Sequence, residues 1–235
     1  MRPQDLARER SCFEVLRSLA GRTFVLVGGF AISAYGFRRF SVDLDLVLPA
    51  SEVDGVRTVL RPRGFVRDAD RDGTGILRGR FERWIRRDGV LPVSVDMMVD
   101  GIADRVSGVV RSFQELRDRA TIRRVAGIDS ESWADAPVPD RETLLALKIQ
   151  TGRPVDLRDV AVLAKGALDM EALWGLLSPC PPELLRDHLT RLRAALGTRE
   201  FQDSVKGVFV LTEPTYREIV RTAEAFVAHL LAGLR

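Results

Sequence analysis

The sequence predicts an α+β protein, a small mixed sheet with helices on one face, followed by a helical C-terminal region. Three observations carry that expectation. Short apolar runs alternate with amphipathic stretches up to residue 100. Turn dipeptides, Asp72-Gly73 and Asp88-Gly89, separate the later runs. From Asp140 onwards the apolar positions recur at helical spacing.

Residues 4–20 place Leu6, Phe13, Leu16 and Leu19 at helical intervals. Thr23 to Val27 reads as a buried strand that ends in Gly28-Gly29. Phe30 to Tyr35 is small and apolar, as a helix lying close on a sheet would be, and Gly36 stops it. Val42 to Leu48 is a second strand, closed by Pro49. A short helix over 51–60 follows, with Ser51 as N-cap and Glu52 in its first turn. Phe65 to Arg67, Ile76 to Ile85 and Val93 to Val99 complete the strands. The order helix, strand, helix, strand, helix and then strands gives a mixed sheet. Residues 125–141, with Pro137 and Pro139, form the expected joint between a core domain, 1–125, and a helical domain, 140–235. In the latter, 142–150 and 156–165 are helices, the second opened by an Asp156-to-Asp159 capping pattern. Two more cover 182–196 and 213–233, and in the last Ile219, Ala223, Phe226, Val227 and Leu230 form a core stripe.

Composition narrows the function. With 46% hydrophobic and 7% aromatic residues the chain is globular, and no apolar run is long enough to span a membrane. The first residues lack the apolar stretch of a secretory signal, so a cytoplasmic location is expected. Cys12 and Cys180 are too few for a disulfide framework or a zinc site. The net charge of +3 excludes a histone-like polycation, although Arg supplies all but three of the 36 basic residues, the lysines being Lys148, Lys165 and Lys206. His188 and His229 fall in C-terminal helices, where structural or exposed roles suffice.

The informative stretch is VLVGGFAISAYGFRRFSVDLDLVLP, residues 25–49. Gly28-Gly29 ends one strand, and Asp43 and Asp45 stand on the next after Arg39 and Ser41. Strand side chains alternate, so Asp43 and Asp45 point one way while Val42, Leu44 and Leu46 point into the core. Two carboxylates fixed that closely repel unless one is protonated or a metal lies between them. Hard oxygen ligands suit Mg²⁺ or Mn²⁺, which commonly share carboxylates with substrate phosphates. A glycine turn leaves backbone N–H groups open to an anion, so phosphate at Gly29 and metal at Asp43 and Asp45 are complementary. Ser41, two residues before Asp43, faces the same side. In VSVDMMVD, Asp96 interrupts an apolar strand, where an isolated carboxylate would be costly. Asp100, beside Gly101, reads as a turn residue.

These residues resemble the signature of the DNA polymerase-β-like nucleotidyltransferase superfamily, a hydrophobic residue and GG followed by DxD. Val27-Gly28-Gly29 and Asp43-Leu44-Asp45 match it. The fuller pattern through Gly28, Gly29, Ala31, Gly36, Arg39, Ser41, Asp43 and Asp45 is similar to the AbiEii/MenT-type branch of bacterial toxin nucleotidyltransferases. The resemblance implies that Asp43, Asp45 and Asp96 hold divalent metal, Mg²⁺ or Mn²⁺. An acceptor hydroxyl would then attack the α-phosphorus of a nucleoside triphosphate and release pyrophosphate. It also covers LLALKIQTGRPVDLRDVAVL, residues 144–163, and there implies that Lys148 meets the donor triphosphate, with Arg153, Asp156 and Asp159 orienting the acceptor or holding Lys148.

The same branch implies a tRNA 3′ end as acceptor and a cognate antitoxin as partner. Residues 61–88, with nine Arg against five acids, offer a basic surface for an RNA backbone. On the strand at 76–85, Leu77, Phe81 and Ile85 are expected to face the core while Arg78 and Arg80 face outwards. Two readings stand beside this one. The same chemistry could act on a protein hydroxyl or an aminoglycoside, or the fold could be a catalytically silent nucleotide- or partner-binding module.

Overall fold

The computed structural model describes residues 3–69, 80–88, 91–129 and 131–234. The chain forms two compact units, Met1–Ala103 with Val110–Asp140, and Asp104–Val109 with Arg141–Arg235.

The first unit is built on a five-stranded mixed sheet. It opens with helix α1 (Pro3–Ser18), strand β1 (Val25–Val27), helix α2 (Gly28–Ser33) and strand β2 (Asp43–Leu48). Helix α3 (Val53–Leu60) and strands β3 (Val66–Arg67), β4 (Phe81–Asp88) and β5 (Leu91–Val99) follow. The strand order is β1-β2-β5-β4-β3, with β2 and β5 parallel at the centre and the other pairs antiparallel. Leu44, Leu46 and Leu48 from β2 and Val93, Val95, Met97 and Val99 from β5 are buried on one face. Phe13 of α1 meets Phe30 of α2 edge to face, with ring centroids 5.1 Å apart.

Several local expectations are corrected here. Ser51 does not cap α3; a 3₁₀ turn at Ala50–Glu52 precedes the helix, and no side chain caps it. On β4 the faces are reversed. Glu82 and Trp84 are buried, while Phe81 and Ile85 are half-buried beside Arg83 on the opposite face. The reason is a satisfied charge: the Arg57 guanidinium donates to both Glu82 oxygens, and Trp84 Nε1 donates to Oε2 at 3.2 Å. A carboxylate with such partners can occupy a core position that an alternation rule gives to an apolar residue. Leu77, Arg78, the Asp72-Gly73 turn and Gly89 lie outside the described residues.

Strands β6 (Gly101–Ala103) and β7 (Val110–Ser112) form one hairpin, and β8 (Ala120–Ala126) and β9 (Trp133–Pro139) another. The stretch 125–141, read from its prolines as a domain joint, thus carries all of β9, and the unit ends at Asp140. Helix α4 (Phe113–Asp118) is fixed by a capping box in which Ser112 and Glu115 each bond the other's backbone N–H. Asp100 takes a left-handed turn conformation, φ 64°, and accepts from the Ala50 N–H at 2.8 Å.

The second unit is helical: α5 (Arg141–Thr151), α6 (Pro154–Leu163), α7 (Met170–Leu177), α8 (Pro182–Ala195), α9 (Arg199–Val208) and α10 (Glu213–Gly233). The α10 stripe of Ile219, Ala223, Phe226, Val227 and Leu230 is buried, as its spacing predicts. Buried His188 contacts the Ile149 carbonyl through Nδ1 at 2.7 Å, and His229 is exposed. No described helix is long and apolar enough to cross a membrane.

Candidate active site

β2 and β5 bring the carboxylates together. Their parallel register sets Asp45 opposite Asp96 and Asp43 opposite Ser94. Directly opposed residues share a face, so all four project from the side away from the leucine core. Asp96 is more enclosed than Asp43, with 15% of its side chain exposed against 52%.

Gly28 explains why this turn lacks a side chain. Its φ of +69° is a conformation L side chains rarely adopt, and a Cβ there would lie 1.9 Å from Asp45 Oδ2. The Asp45 carboxylate therefore rests directly against the α carbon of Gly28. A Cβ on Gly29 would meet Arg39 Cζ and Ser41 Oγ, each at 3.1 Å. The loop between α2 and β2 thus folds Arg39 and Ser41 onto the glycine turn. The GG, the Arg-x-Ser and the DxD of the sequence form one continuous patch.

A second layer anchors that loop. Glu9 of α1 is fully buried and accepts hydrogen bonds from the backbone N–H groups of Ser41, Ile128 and Asp129. Burial pushes its carboxyl above the usual range, and those donors offset part of the effect. Arg8, one residue earlier, donates to the Pro92 carbonyl at the start of β5. Burial, reinforced by Asp43, pushes the Cys12 thiol well up, so it is a core residue and no nucleophile.

Two further residues, Arg83 and Ser94, belong to the site. Arg83 on β4 is the register partner of Asp96; its Nε lies 3.3 Å from Asp96 Oδ1 and its Nη2 3.8 Å from Asp43 Oδ1. Nη2 also donates to Ser94 Oγ at 3.0 Å, and the Ser94 hydroxyl donates to Asp43 Oδ1. Ser94 was legible in principle, two residues before Asp96 on the same strand. Arg83 was hidden by the inverted face of β4.

The donor chemistry fits a hard divalent cation: carboxylate oxygens on a rigid pair of strands, with Asp45 packed against the bare α carbon of Gly28. Among the described residues no three His, Cys, Asp or Glu side chains are grouped closely enough to hold a metal ion as they stand. Between Asp43 and Asp96 the positive charge is supplied by Arg83.

In the second unit, Lys148 lies between two buried carboxylates, with Nζ 2.8 Å from Asp156 Oδ1 and 2.9 Å from Asp159 Oδ2. Arg153 Nε and Thr151 Oγ1 donate to Asp156 Oδ2 at 2.6 and 2.9 Å. The expected capping box is therefore absent from α6. Arg153 is the N-cap, without a side-chain cap, and both Asp residues point at Lys148 instead. Burial alone would raise the Asp156 pKa, but the Lys148 charge and the Arg153 hydrogen bonds lower it to about 2. Burial likewise opposes the Lys148 ammonium, and Asp159 and Asp156 together hold its pKa above the ordinary range.

Two solved structures align with this chain, the first of them at fold level. MenT4, a nucleotidyltransferase toxin from Mycobacterium tuberculosis, aligns over 100% of this chain and 95% of its own, with TM-score 0.54 and 18% identity. The antibiotic-resistance factor ANT(2″)-Ia aligns over 81% of this chain and 97% of its own, with TM-score 0.48 and 14% identity. Comparison with curated protein sequences returns no match. The family profile described as nucleotidyl transferase AbiEii toxin of type IV toxin–antitoxin systems matches residues 13–220, and the chain belongs to that family of nucleotidyltransferases.

Proposed function

We propose that the protein transfers a nucleoside monophosphate from a nucleoside triphosphate to an acceptor hydroxyl, a tRNA 3′ end, as the toxin of a toxin–antitoxin pair. The observation that carries the chemistry is the common face of Asp43, Asp45 and Asp96, with the bare α carbon of Gly28 against Asp45. Those three residues would hold Mg²⁺ or Mn²⁺, and the bound cation supplies charge neutralisation of the donor phosphates. Gly29, Arg39 and Ser41 bind the triphosphate at the glycine turn. Asp96 accepts the proton of the acceptor hydroxyl as its oxygen bonds to the α-phosphorus. The bond from the α-phosphorus to the bridging oxygen breaks, and pyrophosphate leaves. The resemblance adds Lys148, held by Asp156 and Asp159 in the second unit, as a phosphate-binding cation.

The tRNA acceptor is supported by the resemblance to MenT-type toxins and by exposed Arg61, Arg67, Arg80 and Arg87 in the described part of the basic segment. A cognate antitoxin partner and a cytoplasmic setting accord with the type IV family. The test is to incubate the protein with Mg²⁺, total tRNA and each α-³²P nucleoside triphosphate, beside Asp43→Ala/Asp45→Ala. Label on tRNA that disappears in the double variant is the expected result. Label on a polypeptide or an aminoglycoside would replace the acceptor, and triphosphate binding without any transfer would leave a silent binding module.

A further inference from the structure

Arg83 has no part in the reaction as set out above, yet its guanidinium reaches two of the three carboxylates. It approaches Asp96 Oδ1 through Nε and Asp43 Oδ1 through Nη2, at 3.3 and 3.8 Å. The arrangement is built and not incidental. β4 places Arg83 in register with Asp96, and Ser94 accepts from Nη2 while donating to Asp43. The side chain is only 22% exposed, so the guanidinium is not a solvated rim charge.

We propose that Arg83 is the resident counter-ion of the carboxylate site, holding Asp43 and Asp96 together before a divalent cation arrives and competing with it for their oxygens. The inference rests on the reading of Asp43, Asp45 and Asp96 as metal ligands. Carboxylates on adjacent strands repel, and a cation within a few ångströms offsets that repulsion. Arg is suited to the task because its charge persists at every working pH and its planar fork reaches two acceptors at once. A guanidinium and a divalent cation repel each other and want the same oxygens, so loading the site displaces Arg83 from Asp43 and Asp96. Ser94, which bonds both Arg83 and Asp43, sets where the guanidinium rests. Arg83 is thus a positioning residue whose cost is weaker metal binding and whose gain is an intact empty site.

The experiment titrates Mn²⁺ into the full chain without nucleotide, following free Mn²⁺ by electron paramagnetic resonance, for wild type, Arg83→Met, Arg83→Lys and Asp43→Asn/Asp45→Asn. A guanidinium at this range repels the incoming cation, so Arg83→Met should bind Mn²⁺ roughly tenfold more tightly or better. Arg83→Lys, which keeps the charge without the fork, should fall between Met and wild type. In EDTA, Arg83→Met should melt below wild type and recover more on adding Mn²⁺. Equal or weaker Mn²⁺ binding by Arg83→Met would overturn the proposal. If that variant does not fold in EDTA, equal or weaker binding by Arg83→Lys overturns it just as well. Mn²⁺ binding that is undetectable in both wild type and Arg83→Met, or unaltered in Asp43→Asn/Asp45→Asn, would sink the metal-site reading itself, and the counter-ion proposal with it.

Discussion

At Gly28 the smallest possible change tests the site most directly. A methyl group would lie 1.9 Å from Asp45 Oδ2 on a backbone already at φ +69°, so Gly28→Ala must move Asp45 or the turn. Displacements of about 1 Å in a positioned group can reduce turnover on the order of 100-fold. Gly28→Ala is expected to lose at least that in kcat while its circular dichroism spectrum stays that of wild type. A variant with full turnover would show that Asp45 need not rest where it does. Much of this scale was legible in the sequence. Alternation alone puts Asp43 and Asp45 on one face, and an acid amid VSV and MMV singles out Asp96. Arg83 was not legible, because its face depends on Glu82 being neutralised from a different element by Arg57. No pattern within β4 records that partnership.

Between elements, α5 and α6 are joined by one buried ionic cluster, and its energetics have a definite sign. Folding lowers the Asp156 pKa from 3.8 to about 2, so the native state binds that proton less readily than the unfolded chain. Its contribution, on the order of 2 kcal/mol, is whole above the unfolded value and is lost as pH falls towards 2. Urea melts between pH 5 and pH 2 should show that decline, and Asp156→Asn should flatten it. The raised Lys148 works in the other direction: its contribution is whole below 10.5 and lost as pH climbs through the higher folded value. Lys148→Met removes the cation between two buried carboxylates and should cost about 3 kcal/mol or more in equilibrium unfolding, partly recovered by adding Asp159→Asn. A fully stable Lys148→Met would mean that the pair contributes nothing net. Elsewhere, Ser112→Ala removes the α4 capping box and should cost about 1 kcal/mol. That Ser-x-x-Glu signal stood in the sequence at 112–115 and could have located α4. The β8–β9 hairpin was harder to see, since Pro137 and Pro139 read as linker residues although an edge strand tolerates them.

Over the molecule as a whole, the sequence changes character at Asp140, where apolar residues begin to recur at helical spacing. The return of Asp104–Val109 to the helical unit has no such mark, because six residues between two short strands carry no periodicity of their own. The excess of Arg over Lys has its consequence at this scale too. If the exposed Arg61, Arg67, Arg80 and Arg87 contact RNA phosphates, tRNA affinity should fall steeply with salt. Replacing two of them by Ala should then reduce the log–log salt slope by about 2, measured by filter binding. An unchanged slope would remove this surface from the acceptor path. Finally, the N-terminal helix reaches the catalytic strands through Arg8 and Glu9, one at the Pro92 carbonyl and the other at the Ser41, Ile128 and Asp129 amides. The family match begins only at residue 13. A recombinant fragment trimmed to that boundary would discard both fastenings, and would leave the loop with Arg39 and Ser41 unmoored beside the proposed nucleotide site.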